Sequence, residues 1–208
     1  RLTNNTSSVQ IGLKQVFLPL VLRSYPPLQE RWFYSTSDTS VVQGSPDAWM
    51  GDHPLLYVGY GRPDCQITPD FRIARGLVQF DLGALTTTYV QRATLMVEEW
   101  SYCAMPGAAN PTVTTYRVTS PWNPATVTWN TKPTLGEAYG SATIEYGSWA
   151  VSQIDVTGLV NQWLQGTPNY GLMLRGRETN DADTIISTFA ASGTGYDPYL
   201  VVEYYGEP

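Results

Sequence analysis

The sequence predicts an all-β protein. We expect a jelly-roll-type β-sandwich that contains one short helix, and an extended N-terminal strand that precedes the sandwich. Its composition is one reason: the 208 residues include 14 Tyr and 7 Trp, and only 14% are charged. The 18 Gly and 15 Pro supply turn residues between short apolar runs. Together with the alternation of apolar and polar residues in several runs, this composition is typical of sheet proteins.

The first 28 residues are predicted to form a separate strand and Pro-Pro spacer, and residues 29–208 the sandwich. The apolar positions of this strand are Val9, Ile11, Leu13, Val16, Phe17, Leu18, Leu20, Val21 and Leu22. From Val16 onward both faces are apolar, so the strand needs cover on both sides. Three arrangements stay open: insertion into the sheet of a neighbouring copy, docking on its own domain, or a linker within a larger protein.

About ten strands are predicted after the spacer, each bounded by turn residues. In order, they are Val41-Val42, Leu55–Val58, Arg75–Leu82, Ala93–Glu98, Val113–Val118, Ser141–Glu145, Ala150–Ile154, Tyr170–Leu174, Thr184–Phe189 and Tyr199–Tyr205. One helix interrupts them, because Leu159, Val160, Trp163 and Leu164 recur with helical spacing between Asp155 and Gly166. We expect this helix to lie across one end of the sandwich, with Trp163 in the core.

The order of several short motifs resembles that of the DNRLRE domain. The motifs are Leu56-Tyr57-Val58-Gly59, Arg75-x-Leu77-Val78-x-Phe80-Asp81-Leu82, Val127-Thr128-Trp129, Asn169-Tyr170-Gly171-Leu172 and Pro198-Tyr199-Leu200-Val201-Val202. The resemblance covers Tyr34 to Tyr205 and implies a prokaryotic extracellular β-sandwich related to carbohydrate-binding modules. The sequence departs from the family pattern at Pro124 and around Phe189–Ser192. These departures change polar positions of the pattern, whereas the apolar positions that determine the fold match.

Charge and composition argue against several functional classes. A formal net charge of −6 with two lysines, Lys14 and Lys132, does not suit nucleic acid. No apolar stretch of the sequence approaches the length of about 18 residues that is needed to span a bilayer. A start at Arg1 rather than Met predicts an exported protein whose leader was removed. His53 is the single histidine, and Glu98 and Glu99 face opposite sides of a strand, so we expect no enzyme.

Two minor sites are predicted from side-chain chemistry. Cys65 and Cys103 form an even pair that predicts a disulfide in an exported protein, the alternative being two separate buried thiols. No cofactor is expected. Calcium is the one metal that the sequence allows, with Asp181 and Asp183 as oxygen ligands, although a solvated polar loop explains the same residues.

These observations lead to two main hypotheses about function. The first is a non-catalytic extracellular structural protein that self-assembles into a filament or surface layer, its partners being copies of itself joined by strand exchange. The alternative is a carbohydrate-binding module whose partner is a polysaccharide. Trp49, Trp100, Tyr102 and Trp149 are the candidates for stacking on sugar rings, because they lie near turns or strand ends; partial burial is the competing explanation for each. A third hypothesis is an adhesin segment that binds another surface protein.

Overall fold

The computed structural model describes residues 26–61 and 72–206. This part of the chain forms ten antiparallel strands and one helix, which confirms the predicted all-β sandwich. The strands are β1 (Leu28–Val42), β2 (Leu55–Gly61), β3 (Arg72–Phe80), β4 (Arg92–Ala104), β5 (Thr112–Val118), β6 (Leu135–Thr143), β7 (Val151–Asp155), β8 (Leu172–Arg175), β9 (Ile185–Ala190) and β10 (Tyr199–Tyr205). The helix is α1 (Thr157–Leu164), between β7 and β8.

Two long strands, β1 and β4, each contribute to both sheets. The first halves of both strands pair with β10, and the first half of β4 also pairs with β7. The front sheet therefore has the order β1-β10-β4-β7. The second halves pair with β3 and β9 and so belong to a larger back sheet, which also contains β2, β8, β5 and β6. The register shifts between Ser35 and Ser37 in β1 and between Glu99 and Ser101 in β4, where each strand crosses from one sheet to the other.

The core lies between the two sheets. In β4 the buried positions alternate with exposed ones, so that Ala93, Leu95 and Val97 face inward and Thr94 and Met96 face outward. This period of two is the pattern expected of a strand with one buried and one solvated face. The predicted helix is confirmed: Trp163 is buried in this core, and the Asp155 carboxylate accepts the Thr157 N–H at 2.9 Å where the helix begins.

The largest difference from the prediction concerns β6. It runs over Leu135–Thr143 rather than Ser141–Glu145, and its burial pattern contains no fully buried side chain. An edge strand solvated on both faces has no apolar period, which is why the sequence did not reveal it. β1 is also longer than predicted and begins at Leu28, next to the expected boundary between residues 28 and 29.

The proposed assembly strand, residues 9–22, lies outside the described residues, as does Cys65. The division into segment and sandwich, the strand exchange and the disulfide therefore stay predictions. Cys103 lies near the end of β4 and is not a free thiol.

Candidate functional site

The connection between β6 and β7 carries two aromatic residues to the surface beside β4. It crosses from the edge of the back sheet to the edge of the front sheet, and Tyr146 and Trp149 lie on it. Trp100 and Tyr102 come from β4, where this strand changes sheets, and Tyr196 comes from the loop before β10. We call these five residues, Trp100, Tyr102, Tyr146, Trp149 and Tyr196, the aromatic cluster.

The rings of the aromatic cluster contact one another in two groups and stay accessible to solvent. The Trp100 ring lies 5.7 Å, centre to centre, from the rings of both Trp149 and Tyr196. The rings of Tyr102 and Tyr146 lie 4.6 Å apart. Trp149 is 60% exposed, more than any other large hydrophobic residue in the described part of the chain. Several large rings on the surface form an apolar platform with polar edges, and the ring planes are inclined to one another by 46–68°.

The backbone of the β6–β7 connection is shaped to present Trp149. Its φ of +55° lies in the left-handed region, which a bulky residue adopts at a cost of roughly 1–3 kcal/mol. Gly147 also has a positive φ, and a Cβ at this position would lie 2.9 Å from Cε1 of Tyr102. The turn therefore requires glycine at 147 and holds an exposed tryptophan in a strained conformation.

A buried carboxylate lies beneath this platform. Glu99 is only 1% exposed and lines a cavity of about 120 Å³ together with Trp100, Tyr102, Gly147 and Trp149. Its Oε2 accepts the Gly147 N–H at 2.7 Å, whereas its buried Oε1 has no partner among the described residues. Burial raises the pKa of Glu99 above its usual 4.5, although hydrogen bonds from the Gly147 and Ser148 N–H groups act against the rise. A buried oxygen without a donor is rare and often marks a functional position.

The structure brings together three of the four predicted stacking residues. Trp100, Tyr102 and Trp149 belong to the aromatic cluster, but Trp49 does not contact it in the described structure. The indole N–H of Trp49 instead donates to the Pro124 carbonyl at 2.7 Å and ties two loops together. Sequence reasoning missed Tyr196, Tyr146 and Glu99, although the glycines at 147 and 195 mark turns at which an aromatic residue can be displayed.

A second depression, of about 350 Å³, lies over β5 and β8 and is polar. Its wall includes Tyr116 and Arg175, whose guanidinium carbon lies 5.0 Å from the centre of the tyrosine ring. Arg175 donates twice to Glu178, at 3.0 and 2.8 Å, and Arg75 donates to the same carboxylate at 2.7 and 3.0 Å. Because Arg75 and Arg175 share the single carboxylate of Glu178, this group of three side chains keeps a net charge of +1.

The predicted calcium site finds no support in the described residues. The Asp181 carboxylate accepts hydrogen bonds from Arg177, Thr179 and the Asp183 N–H, and its pKa is lowered to about 2, mainly by Arg177. Within residues 26–61 and 72–206, no three acidic, histidine or cysteine side chains are grouped so that they could hold a metal ion. The calcium site therefore stays a prediction.

The sequence also matches a described family. The profile of carbohydrate-binding module family 96 matches residues 30–204, which is most of the chain and all ten strands except the ends of β1 and β10. The chain belongs to carbohydrate-binding module family 96. For this family 96 module, the expected relation to carbohydrate-binding modules is confirmed, whereas the DNRLRE name stays a prediction.

Three curated relatives resemble a smaller part of this family 96 module. The tRNA nuclease WapA of Bacillus subtilis strain 168 and the tRNA(Glu)-specific nuclease WapA of B. subtilis subsp. natto are both 34% identical to it over 87 residues. The tRNA3(Ser)-specific nuclease WapA of Bacillus spizizenii is 33% identical over 87 residues. Each match covers 42% of this chain and about 4% of the relative's length. In the described part of the chain, no helix is long and apolar enough to cross a bilayer.

Proposed function

We propose that this family 96 module is a non-catalytic, extracellular protein that binds a polysaccharide at the aromatic cluster. The observation that carries the proposal is the meeting of exposed aromatic rings from three separate chain segments, two of which line one cavity. Family membership supports the ligand class, and the strained backbone at Trp149 supports a role for this ring beyond folding.

The chemistry of the cluster suits a sugar chain. One face of a sugar ring presents C–H groups, which pack on an indole or phenol face, and its hydroxyls remain at the edges for hydrogen bonds. The Tyr102 and Tyr196 hydroxyls add polar groups at the rim, and Glu99 supports the platform from below through its hydrogen bond with the Gly147 N–H. Rings that already contact one another lose little freedom on binding, so the platform is preorganised.

The test is binding of the wild-type protein to a panel of neutral and acidic polysaccharides by affinity electrophoresis, followed by isothermal titration calorimetry. Trp149→Gly is the informative variant, because glycine adopts a positive φ without strain and the tryptophan is mostly exposed. We expect this variant to keep or exceed the wild-type thermal stability and to lose about tenfold in affinity, which corresponds to about 1.4 kcal/mol.

Trp49→Ala is the matched control, since it removes an exposed tryptophan at a site away from the cluster. It should bind the same polysaccharide as tightly as wild type does. Absence of binding to every polysaccharide of the panel would reject the function. Binding that Trp149→Gly leaves intact and Trp49→Ala weakens would reject the site.

The filament hypothesis is less well supported by these findings. It rests on residues 9–22, and nothing in the described part of the chain favours strand exchange. It stays a prediction that the mass of the native particle in solution would test. Because the nuclease relatives share only about 4% of their length with this chain, we propose no nuclease activity for it.

A further inference from the structure

A second group of exposed aromatic rings lies on the front sheet, across β1 and β10. The rings of Trp32 and Tyr199 lie 5.2 Å apart at an interplanar angle of 19°, and the rings of Tyr34 and Tyr199 lie 5.6 Å apart at 40°. Trp32 and Tyr34 are 52% and 54% exposed. The Trp32 indole N–H donates to Glu30 at 2.7 Å, which fixes the ring. We call Trp32, Tyr34 and Tyr199 the stack, in which the first and last rings are nearly parallel and Tyr34 is tilted.

Strand register places this stack on the outer face of the front sheet, beside β4. Tyr34 pairs with Tyr199, and Tyr199 pairs with Met96 of β4. Side chains alternate along a strand, so Met96 and Glu98 share this outer face, and Trp100 follows at the position where β4 crosses to the back sheet. Trp100 lies four residues beyond Met96, about 13 Å along the strand.

The loop before β10 supplies the connection between the two groups. Tyr196 contacts Trp100 and lies three residues before Tyr199, whose ring belongs to the stack. Glu98 lies two residues beyond Met96, the register partner of Tyr199. Burial raises the pKa of Tyr199, with smaller contributions from Tyr34 and Glu98. Ring contacts join Trp32 and Tyr34 to Tyr199 on the front sheet, and Tyr196 and Trp149 to Trp100 where β4 changes sheets, with Tyr196 and Tyr199 three residues apart.

We propose that these rings form one binding strip, from Trp32 and Tyr34 through Tyr199 to Trp100 and Trp149, for the interior of an extended, uncharged polysaccharide chain. The proposal rests on the function proposed above and adds the length and charge class of the ligand. The strip begins at the Trp32 position, opposite Val201 and Thr94, and reaches Trp100 six residues along β4, about 20 Å. This distance exceeds the length of a single sugar unit.

The charges along the strip explain why the chain should be uncharged. Glu30 and Glu98 lie on the outer face beside the stacked rings, and Glu203 pairs with Glu30 in the register. Arg92, which lies 3.7 Å from Glu203, is the cation that the described structure places against these acids. A polyanionic chain would meet a net negative surface here, so it should be disfavoured at low ionic strength.

The experiment measures how affinity depends on ligand length. Xylo-, manno- and cello-oligosaccharides from disaccharide to hexasaccharide, together with the matching polymers, are titrated into wild type, Trp32→Ala and Trp149→Gly by calorimetry. We expect wild-type affinity to rise with length. Trp32→Ala should leave the affinity for the shortest bound oligosaccharide unchanged and weaken binding of the polymer about tenfold, as expected for the loss of one stacked ring.

A second variant, Tyr34→Ala, repeats the test in case Trp32→Ala fails to fold. Loss of binding in Trp149→Gly with no change in either front-sheet variant would overturn the strip and leave the proposed function intact. Unchanged binding in all variants would overturn both. Equal weakening of short and long ligands, or binding confined to acidic polymers, would also overturn the strip. So would a concentration-dependent dimer, measured by light scattering, that Trp32→Ala abolishes, because a second copy would then cover the face.

Discussion

Gly140 lies where β6 passes closest to β7, at the seam between the back and front sheets. A Cβ at this position would lie 1.9 Å from the Asp155 carbonyl oxygen and 2.9 Å from Cγ2 of Ile154. The obstructing oxygen belongs to the main chain, so no side-chain rotation can relieve the clash. Gly140→Ala must therefore separate the two strands, which contact each other at one edge of the sandwich.

The magnitude follows from the cost of overpacking. Such insertions cost about 1–3 kcal/mol, and a main-chain obstacle places Gly140→Ala at the upper end, about 3 kcal/mol. For a domain of this size, that cost lowers the melting temperature by about 6–12 °C. Because Tyr146 and Trp149 lie on the connection that follows β6, we also expect weaker polysaccharide binding by the folded variant.

Gly158→Ala provides the matched control for the same change of side chain. Gly158 lies in α1, and a Cβ there would make an ordinary contact, 3.4 Å from Cδ1 of Tyr139. Alanine is the better helix former by up to about 1 kcal/mol, so this variant should melt at or above the wild-type temperature. Differential scanning calorimetry of the three proteins makes the comparison. If Gly140→Ala melts with wild type, β6 and β7 do not approach as closely as the structure shows.

Two carboxylates provide predictions of opposite sign. Burial raises the pKa of Glu99, so the contribution of this carboxyl group to stability falls as the pH rises above the usual pKa of 4.5. Glu99→Gln should therefore be about 1 kcal/mol more stable than wild type at about pH 8, but not at about pH 4. Burial tends to raise the pKa of Glu178 too, but the hydrogen bonds from Arg75 and Arg175 outweigh it and lower this pKa. Glu178→Gln should therefore lose about 1.5–3 kcal/mol at about pH 7, a loss that shrinks as pH falls below 4.5. Urea unfolding across this pH range checks both; a pH-independent difference between variant and wild type would contradict either one.

Local pattern was sufficient to predict those elements whose side chains alternate between core and solvent. β4 and α1 were found because burial gives each of them a regular apolar period, of two and of about 3.6 residues. β6 was misplaced because a strand without buried positions carries no such period. The same limit explains the candidate site: turn residues marked Trp100, Tyr102 and Trp149 as displayed, but they marked Trp49 equally well.

The sequence by itself determined the fold class, the helix with Trp163 in the core, and the set of aromatic residues from which a binding surface could be built. Only the tertiary structure decided which of them meet. Trp100 contacts Tyr196, and Trp32 stacks on Tyr199, across separations that no local period encodes. Register makes that choice, because a shift of one residue between β1, β10 and β4 would turn these rings to the opposite face.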